Sequence, residues 1–139
     1  MIKKINKSNF KPYGWVVEFP DKALEDKKKN LFCVVLQESS KLGWRIAYLV
    51  LRERKIFRLE RHPGSFESFE PVKGKSLLYV CNKKDLGQIV CFYLDKPVIL
   101  KKGLWHGVVA LEKEAEIKIT ENAQVKCLYW DLGFYLPSK

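Results

Sequence analysis

The chain contains two histidines, His62 and His106, and both stand where a strand-like run meets a turn. His106 closes the stretch D-K-P-V-I-L-K-K-G-L-W-H within Asp95–Val109: an extended run over Pro97–Leu100, a turn at Lys101-Lys102-Gly103, then Trp105 and His106 opening a second run. Pro97 suits a strand edge, because it cannot donate to a central ladder. Gly103 supplies the freedom in φ that a tight turn between strands needs. His62 ends the run K-I-F-R-L-E-R-H and begins the cluster H-P-G-S-F-E-S-F-E-P-V-K-G. Strand alternation places Arg58, Glu60 and His62 on one face of that run and Phe57 and Leu59 on the other. Imidazoles and carboxylates gathered from two strand ends could bind a divalent metal or pass a proton. The expectation is one site built from both segments.

The rest of the chain supplies strands to hold them. Runs at Trp15–Phe19, Leu31–Glu38, Trp44–Leu51, Lys55–His62, Ser76–Cys81, Gln88–Leu94, Pro97–Leu100, Gly107–Glu112, Ala115–Thr120 and Gln124–Leu132 read as strands separated by turn signals. Leu31–Glu38 reads as a buried strand, and residues 66–74 as a short connection reaching Pro71–Gly74. Residues 21–30 are polar and lysine-rich, a loop or a single helical turn, and residues 1–12 form a basic leader with one short edge element. No helix of ten residues is expected, so the class is an all-β sandwich or barrel of one domain, residues 1–139. In Trp44–Leu51, Trp44, Ile46, Tyr48 and Val50 fall on one face and Ala47, Leu49 and Leu51 on the other. A strand apolar on both faces must be covered on both sides, and a second subunit is the expected cover, hence a homodimer.

Composition narrows the function. Twenty-six Lys and Arg against 16 Asp and Glu give a net charge of +10. That charge would fit a nucleic-acid or acidic-protein partner, but the lysines are scattered, which favours a solvated surface over a groove that tracks phosphates. No apolar run is long enough for a signal peptide or membrane span, so a cytoplasmic protein without a membrane partner is expected. Cys33, Cys81, Cys91 and Cys127 form no C-x-x-C spacing and read as small buried hydrophobes in a reducing compartment. Trp44, Trp105 and Trp130 read as core or interface.

F-K-P-Y-G-W-V-V-E at residues 10–18, E-R-H-P with F-E-P-V-K-G at 60–74, and G-L-W-H at 103–106 follow one another in an order that resembles the two-motif layout of the cupins, β-barrels of the jelly-roll type. Within that superfamily the combination is most similar to the ureidoglycolate lyase family, long called ureidoglycolate hydrolase. The resemblance implies a dimeric enzyme that splits ureidoglycolate into glyoxylate and urea. Such chemistry needs a base for the hydroxyl proton, an acid for the departing urea nitrogen, and a cationic clamp on the substrate carboxylate, best made by the arginine fork.

Carried onto this chain, the resemblance implies His62, His106 and Glu60 as catalytic groups. His62, Glu67 and His106 become ligands of one divalent metal ion (nickel, manganese or zinc). Arg58, Arg61, Arg52 and the Tyr79 hydroxyl are candidates for binding the substrate. The chain departs from the pattern twice: the cupin H-x-H is replaced by His62-Pro63-Gly64, and the position after His106 is Gly107. A cupin that binds a small anionic metabolite without turning it over is the alternative.

Overall fold

The computed structural model describes residues 1–19, 31–39 and 41–138. The expectation for residues 21–30 lies outside the described residues. Among the described residues, eleven strands form two sheets, accompanied by one helical turn, α1 (Lys7–Phe10), and a 3-10 turn at Leu86–Gln88. In chain order the strands are β1 (Ile2–Lys4), β2 (Gly14–Val16), β3 (Trp44–Leu51), β4 (Ile56–Arg61), β5 (Glu67–Lys73), β6 (Ser76–Cys81), β7 (Val90–Tyr93), β8 (Val98–Leu100), β9 (Trp105–Ala110), β10 (Ala115–Asn122) and β11 (Leu128–Leu136). One sheet runs β1-β7-β6-β9-β4-β11, the other β2-β8-β5-β10-β3, and only β1 with β7 pairs in parallel. The all-β jelly-roll expectation holds.

The two sheets pack face to face. Leu78, Val80 and Phe92 of the first meet Leu51, Phe69, Val98, Leu100 and Ile117 of the second in one buried cluster. Alternation sends the intervening residues of the first sheet to a second cluster on its other face: Leu59, Leu77, Tyr79, Trp105, Val109 and Trp130, joined by Leu132 and Leu136. Trp105 and Trp130 meet edge to face there at 5.8 Å.

Three expectations about elements change. Leu31–Glu38 carries no strand; Phe32 is 89 % and Val34 61 % exposed. A β-branched apolar run has the same composition whether it enters a sheet or passes over one. The second strand stops at Val16 rather than Phe19. Residues 67–73, read as a connection, are a seven-residue strand at the centre of the second sheet. Pro71 is tolerated there because it sits at a bulge against Glu116 and Ile117, where a ladder hydrogen bond is already interrupted.

Candidate metal centre

His62 follows the last residue of β4, Glu67 begins β5, and His106 is the second residue of β9, so three separate strand ends deliver three side chains. The Pro63-Gly64 turn reverses the chain between His62 and Glu67. The carbonyl of His62 accepts from the backbone N–H of Ser65 (3.3 Å) and of Gly103 (3.0 Å). The second of these fastens the turn that carries His106 to the turn that follows His62. Gly103 has φ of +76°, which only glycine adopts without strain. His106 pairs directly with Glu60 across β4 and β9.

The three side chains converge in the inter-sheet core. His106 Nε2 lies 2.8 Å from Glu67 Oε1, and His62 Nε2 lies 3.4 Å from the same oxygen. Ligand atoms about 2.1 Å from one ion stand roughly 3.0–3.4 Å apart, so the spacing fits a shared cation. The protonation pattern agrees. His106 Nδ1 faces the carbonyl of Leu104 at 2.8 Å, and a carbonyl only accepts, so Nδ1 carries the hydrogen and Nε2 of the neutral ring is a bare acceptor. Nε2 then faces a carboxylate oxygen, acceptor against acceptor, both buried and without a hydrogen-bond partner. A buried pair of that kind is costly unless a proton or a metal ion lies between. His62, Glu67 and His106 therefore fit a divalent ion.

Without metal, the surroundings favour a shared proton in that gap. Burial pushes the Glu67 carboxyl up, but the charges and hydrogen bonds of His106 and His62 outweigh it and bring the value down to about 2. The Glu67 hydrogen bond raises His62 above its ordinary value against opposing burial. Burial pulls His106 down, yet the Glu67 charge and hydrogen bond and the Leu104 carbonyl leave it raised.

Glu60 completes the group from the solvent side. Its Oε1 is 3.7 Å from His106 Nε2 and 3.9 Å from His62 Nε2, and its side chain is 39 % exposed. It lines a cleft of about 290 Å³ with Arg52, Arg58, His106 and Tyr129, walled by Leu49, Ile56 and Val108. A larger cleft of about 620 Å³, near α1 and Lys101, contains neither histidine.

The other expected site residues divide by strand parity. Arg58 lines the cleft, with its Nε 3.0 Å from Asp131 and its guanidinium over Tyr129. Arg52 stands at the cleft's rim, bound to Glu114 at 2.9 Å. Arg61 is not brought to the site: it faces the opposite side of β4 and lies over Trp105. Tyr79 is not brought there either. It belongs to the outer cluster, and burial together with Cys91 pushes its hydroxyl well above the ordinary range. Gly107 pairs with Tyr79, and a side chain there would meet Ile56 and Leu59, so a histidine at 107 would not join this cluster.

Two residues at the site are not among the expected site residues. Cys127, expected as a buried hydrophobe, places Sγ 3.5 Å from His62 Nδ1; Cys33, given the same reading, is exposed. Glu121, which falls between the expected strands Ala115–Thr120 and Gln124–Leu132, lies within β10 and is the cross-strand partner of Glu67. Burial, with the Glu67 charge adding, pushes its carboxyl up against the opposing pull of Arg45. Neither position carries a local sequence signal; the register between distant strands creates both.

The two-sheet roll, with its histidines at the ends of strands from two motifs, is a cupin fold. Two structures of Bacillus subtilis oxalate decarboxylase, one at pH 4.6 and one described for that enzyme's Mn(II) centres, match it with 15% identity and TM-score 0.50. Each match covers 66% of this chain, which spans about a quarter (24%) of the length of that enzyme. No family model matches the sequence, and no curated protein is significantly similar to it. Among the described residues, no helix is long and apolar enough to cross a membrane.

Proposed function

We propose that this chain is a metal-dependent cupin enzyme of the ureidoglycolate lyase type, releasing urea from ureidoglycolate to give glyoxylate. The observation that carries the reading is the facing pair of unsatisfied buried acceptors, Glu67 Oε1 and His106 Nε2, with His62 beside them and with His106 also lining a cleft that presents Glu60 and Arg58. A divalent ion held by His62, Glu67 and His106 would supply a Lewis acid that polarises a substrate oxygen.

The chain's own groups do the rest. Glu60, at the cleft and in reach of both imidazoles, takes the substrate hydroxyl proton. As that O–H electron pair forms the aldehyde carbonyl, the carbon–nitrogen bond breaks and its electrons leave on the urea nitrogen. Glu60 returns the proton to that nitrogen, so one carboxylate acts first as base and then as acid. Arg58 is held through Nε by Asp131, so its terminal amino groups are the part of the fork that meets the substrate carboxylate. Leu49, Ile56 and Val108 keep bulk water from the reacting atoms. The cleft's size suits a small metabolite.

The same reading includes a homodimer. Trp44, Ile46, Tyr48 and Val50 form an exposed apolar row on β3, an edge strand, and a second copy laid on that row would cover both.

The test is glyoxylate release from racemic ureidoglycolate by purified protein with added Mn(II) or Ni(II), and with chelator. Manganese is the first choice because the similar oxalate decarboxylase structure is described for Mn(II). Turnover that requires metal and is lost in His106→Ala is the expected result. Tight binding of the substrate or its analogues without turnover would favour the non-catalytic anion-binding cupin. No turnover and no binding under any metal condition would overturn the reading.

A further inference from the structure

One row of residues across the inner face of the second sheet is charged where its neighbour is apolar. Arg45 of β3 pairs with Glu121 of β10, Glu121 pairs with Glu67 of β5, and Glu67 pairs with Leu100 of β8. The next inward-facing row is Ala47, Ile119, Phe69 and Val98. Arg45 grips Glu121 at two points, Nε and Nη2 both donating to Oε2 at 2.9 and 2.7 Å. The Glu121 side chain is only 6% exposed. A second carboxylate buried against Glu67 is costly unless a cation compensates it, and Arg45 is that cation.

The residue after Glu121 holds the same turn from the other side. The backbone N–H of Asn122 donates to Ser65 Oγ, and its side-chain amide donates to the carbonyl of Gly64, each at 3.0 Å. The end of β10 thus clamps the short segment that joins His62 to Glu67. Glu67 Oε1 has no hydrogen-bond partner of its own, so the pose that aims it at the two imidazoles must be fixed from behind.

We infer that Arg45 and Glu121 are positioning residues: a part-buried ion pair, its carboxylate buried and its guanidinium half exposed, that sets Glu67 in its ligating pose. The inference rests on the proposed metal centre and names what holds it in register. Partners one step behind a metal ligand commonly change metal affinity 10–100-fold when removed.

The experiment is Mn(II) titration of the full chain, read by electron paramagnetic resonance for both free ion and bound-ion spectrum. Wild type, Glu121→Gln, Arg45→Lys, Arg45→Gln/Glu121→Gln and His106→Ala are compared. Glu121→Gln is expected to raise the Mn(II) dissociation constant at least tenfold and to alter the zero-field splitting of bound Mn(II). Arg45→Lys keeps the charge and retains most of the affinity. The double variant removes both partners of the Arg45–Glu121 pair and leaves neither charge without the other, so it folds even if Glu121→Gln does not, and it shows the same loss. Affinity within threefold of wild type with an unchanged spectrum in either glutamine variant overturns the positioning role, while loss in His106→Ala alone leaves the metal centre standing. A wild-type chain that binds no Mn(II) overturns both.

Discussion

Replacing Glu67 by Gln removes the charge on which the cluster turns and leaves its shape nearly unchanged. In the metal-free protein the Glu67 carboxyl falls from 4.5 to about 2, which corresponds to roughly 3 kcal/mol in favour of the folded state when Glu67 is ionised and the imidazoles are protonated. A depressed carboxyl contributes stability above its ordinary titration range and loses it as pH falls toward 2. The two raised histidines contribute below their ordinary value of 6.5 and lose it as pH rises through their raised values. Both contributions are present together between about pH 4.5 and 6.5. Glu67→Gln should therefore melt on the order of 10 °C lower than wild type near pH 5.5, and the gap should close as pH rises above the raised histidine values. Thermal unfolding by circular dichroism in chelator, from pH 4 to 9, measures it. A gap that stays constant across that range would refute the idea that a shared proton holds the cluster together. Added metal should restore stability to wild type at high pH, by about 2.7 kcal/mol at a hundred times the dissociation constant, and should do little for Glu67→Gln.

Other consequences are more local. Arg58→Gln should raise KM for ureidoglycolate about 10–100-fold, since one charge-assisted bond to a carboxylate is worth about 1.5–3 kcal/mol, while Mn(II) affinity holds; steady-state kinetics beside a metal titration separate the two. Ile46→Glu on the exposed row of β3 should leave the melting temperature of the monomer unchanged and shift sedimentation from dimer to monomer; a species of unchanged mass would remove β3 as the interface. Gly14→Ala should destabilise by about 3 kcal/mol or more, because the added Cβ would collide with the carbonyl oxygen of Ile99, a backbone atom that cannot swing aside. Denaturant unfolding reads that directly.

Much of the site was legible because strand alternation is local. Arg58, Glu60 and His62 share a face at every other residue, and that parity already separates Arg58 from Arg61. The turn at Lys101-Lys102-Gly103 and the strand after it follow from a glycine and a proline whose backbone demands are specific. What alternation cannot supply is the pairing between strands far apart in sequence. Tyr79 was grouped with the site residues, but its register against Gly107 sends it to the outer cluster. Glu121 lies 54 positions from Glu67 in the sequence and meets it only through the β5–β10 ladder. Pro71 obscures the strand at Glu67–Lys73, and the composition of Leu31–Glu38 suits a strand that the fold does not form. The exposed row on β3 was legible as a surplus of apolar residues that one small core does not bury.

We propose above all that His62, Glu67 and His106 bind one divalent ion. Calorimetric titration of chelator-stripped protein with Mn(II), Ni(II) and Zn(II), for wild type and for His106→Ala, tests it most directly. One ion per chain is expected for wild type, with protons released on binding because the imidazoles must be neutral to ligate, and no specific binding for His106→Ala with its fold intact. Wild-type protein that binds none of the three ions, or a His106→Ala variant that binds as tightly, would contradict it.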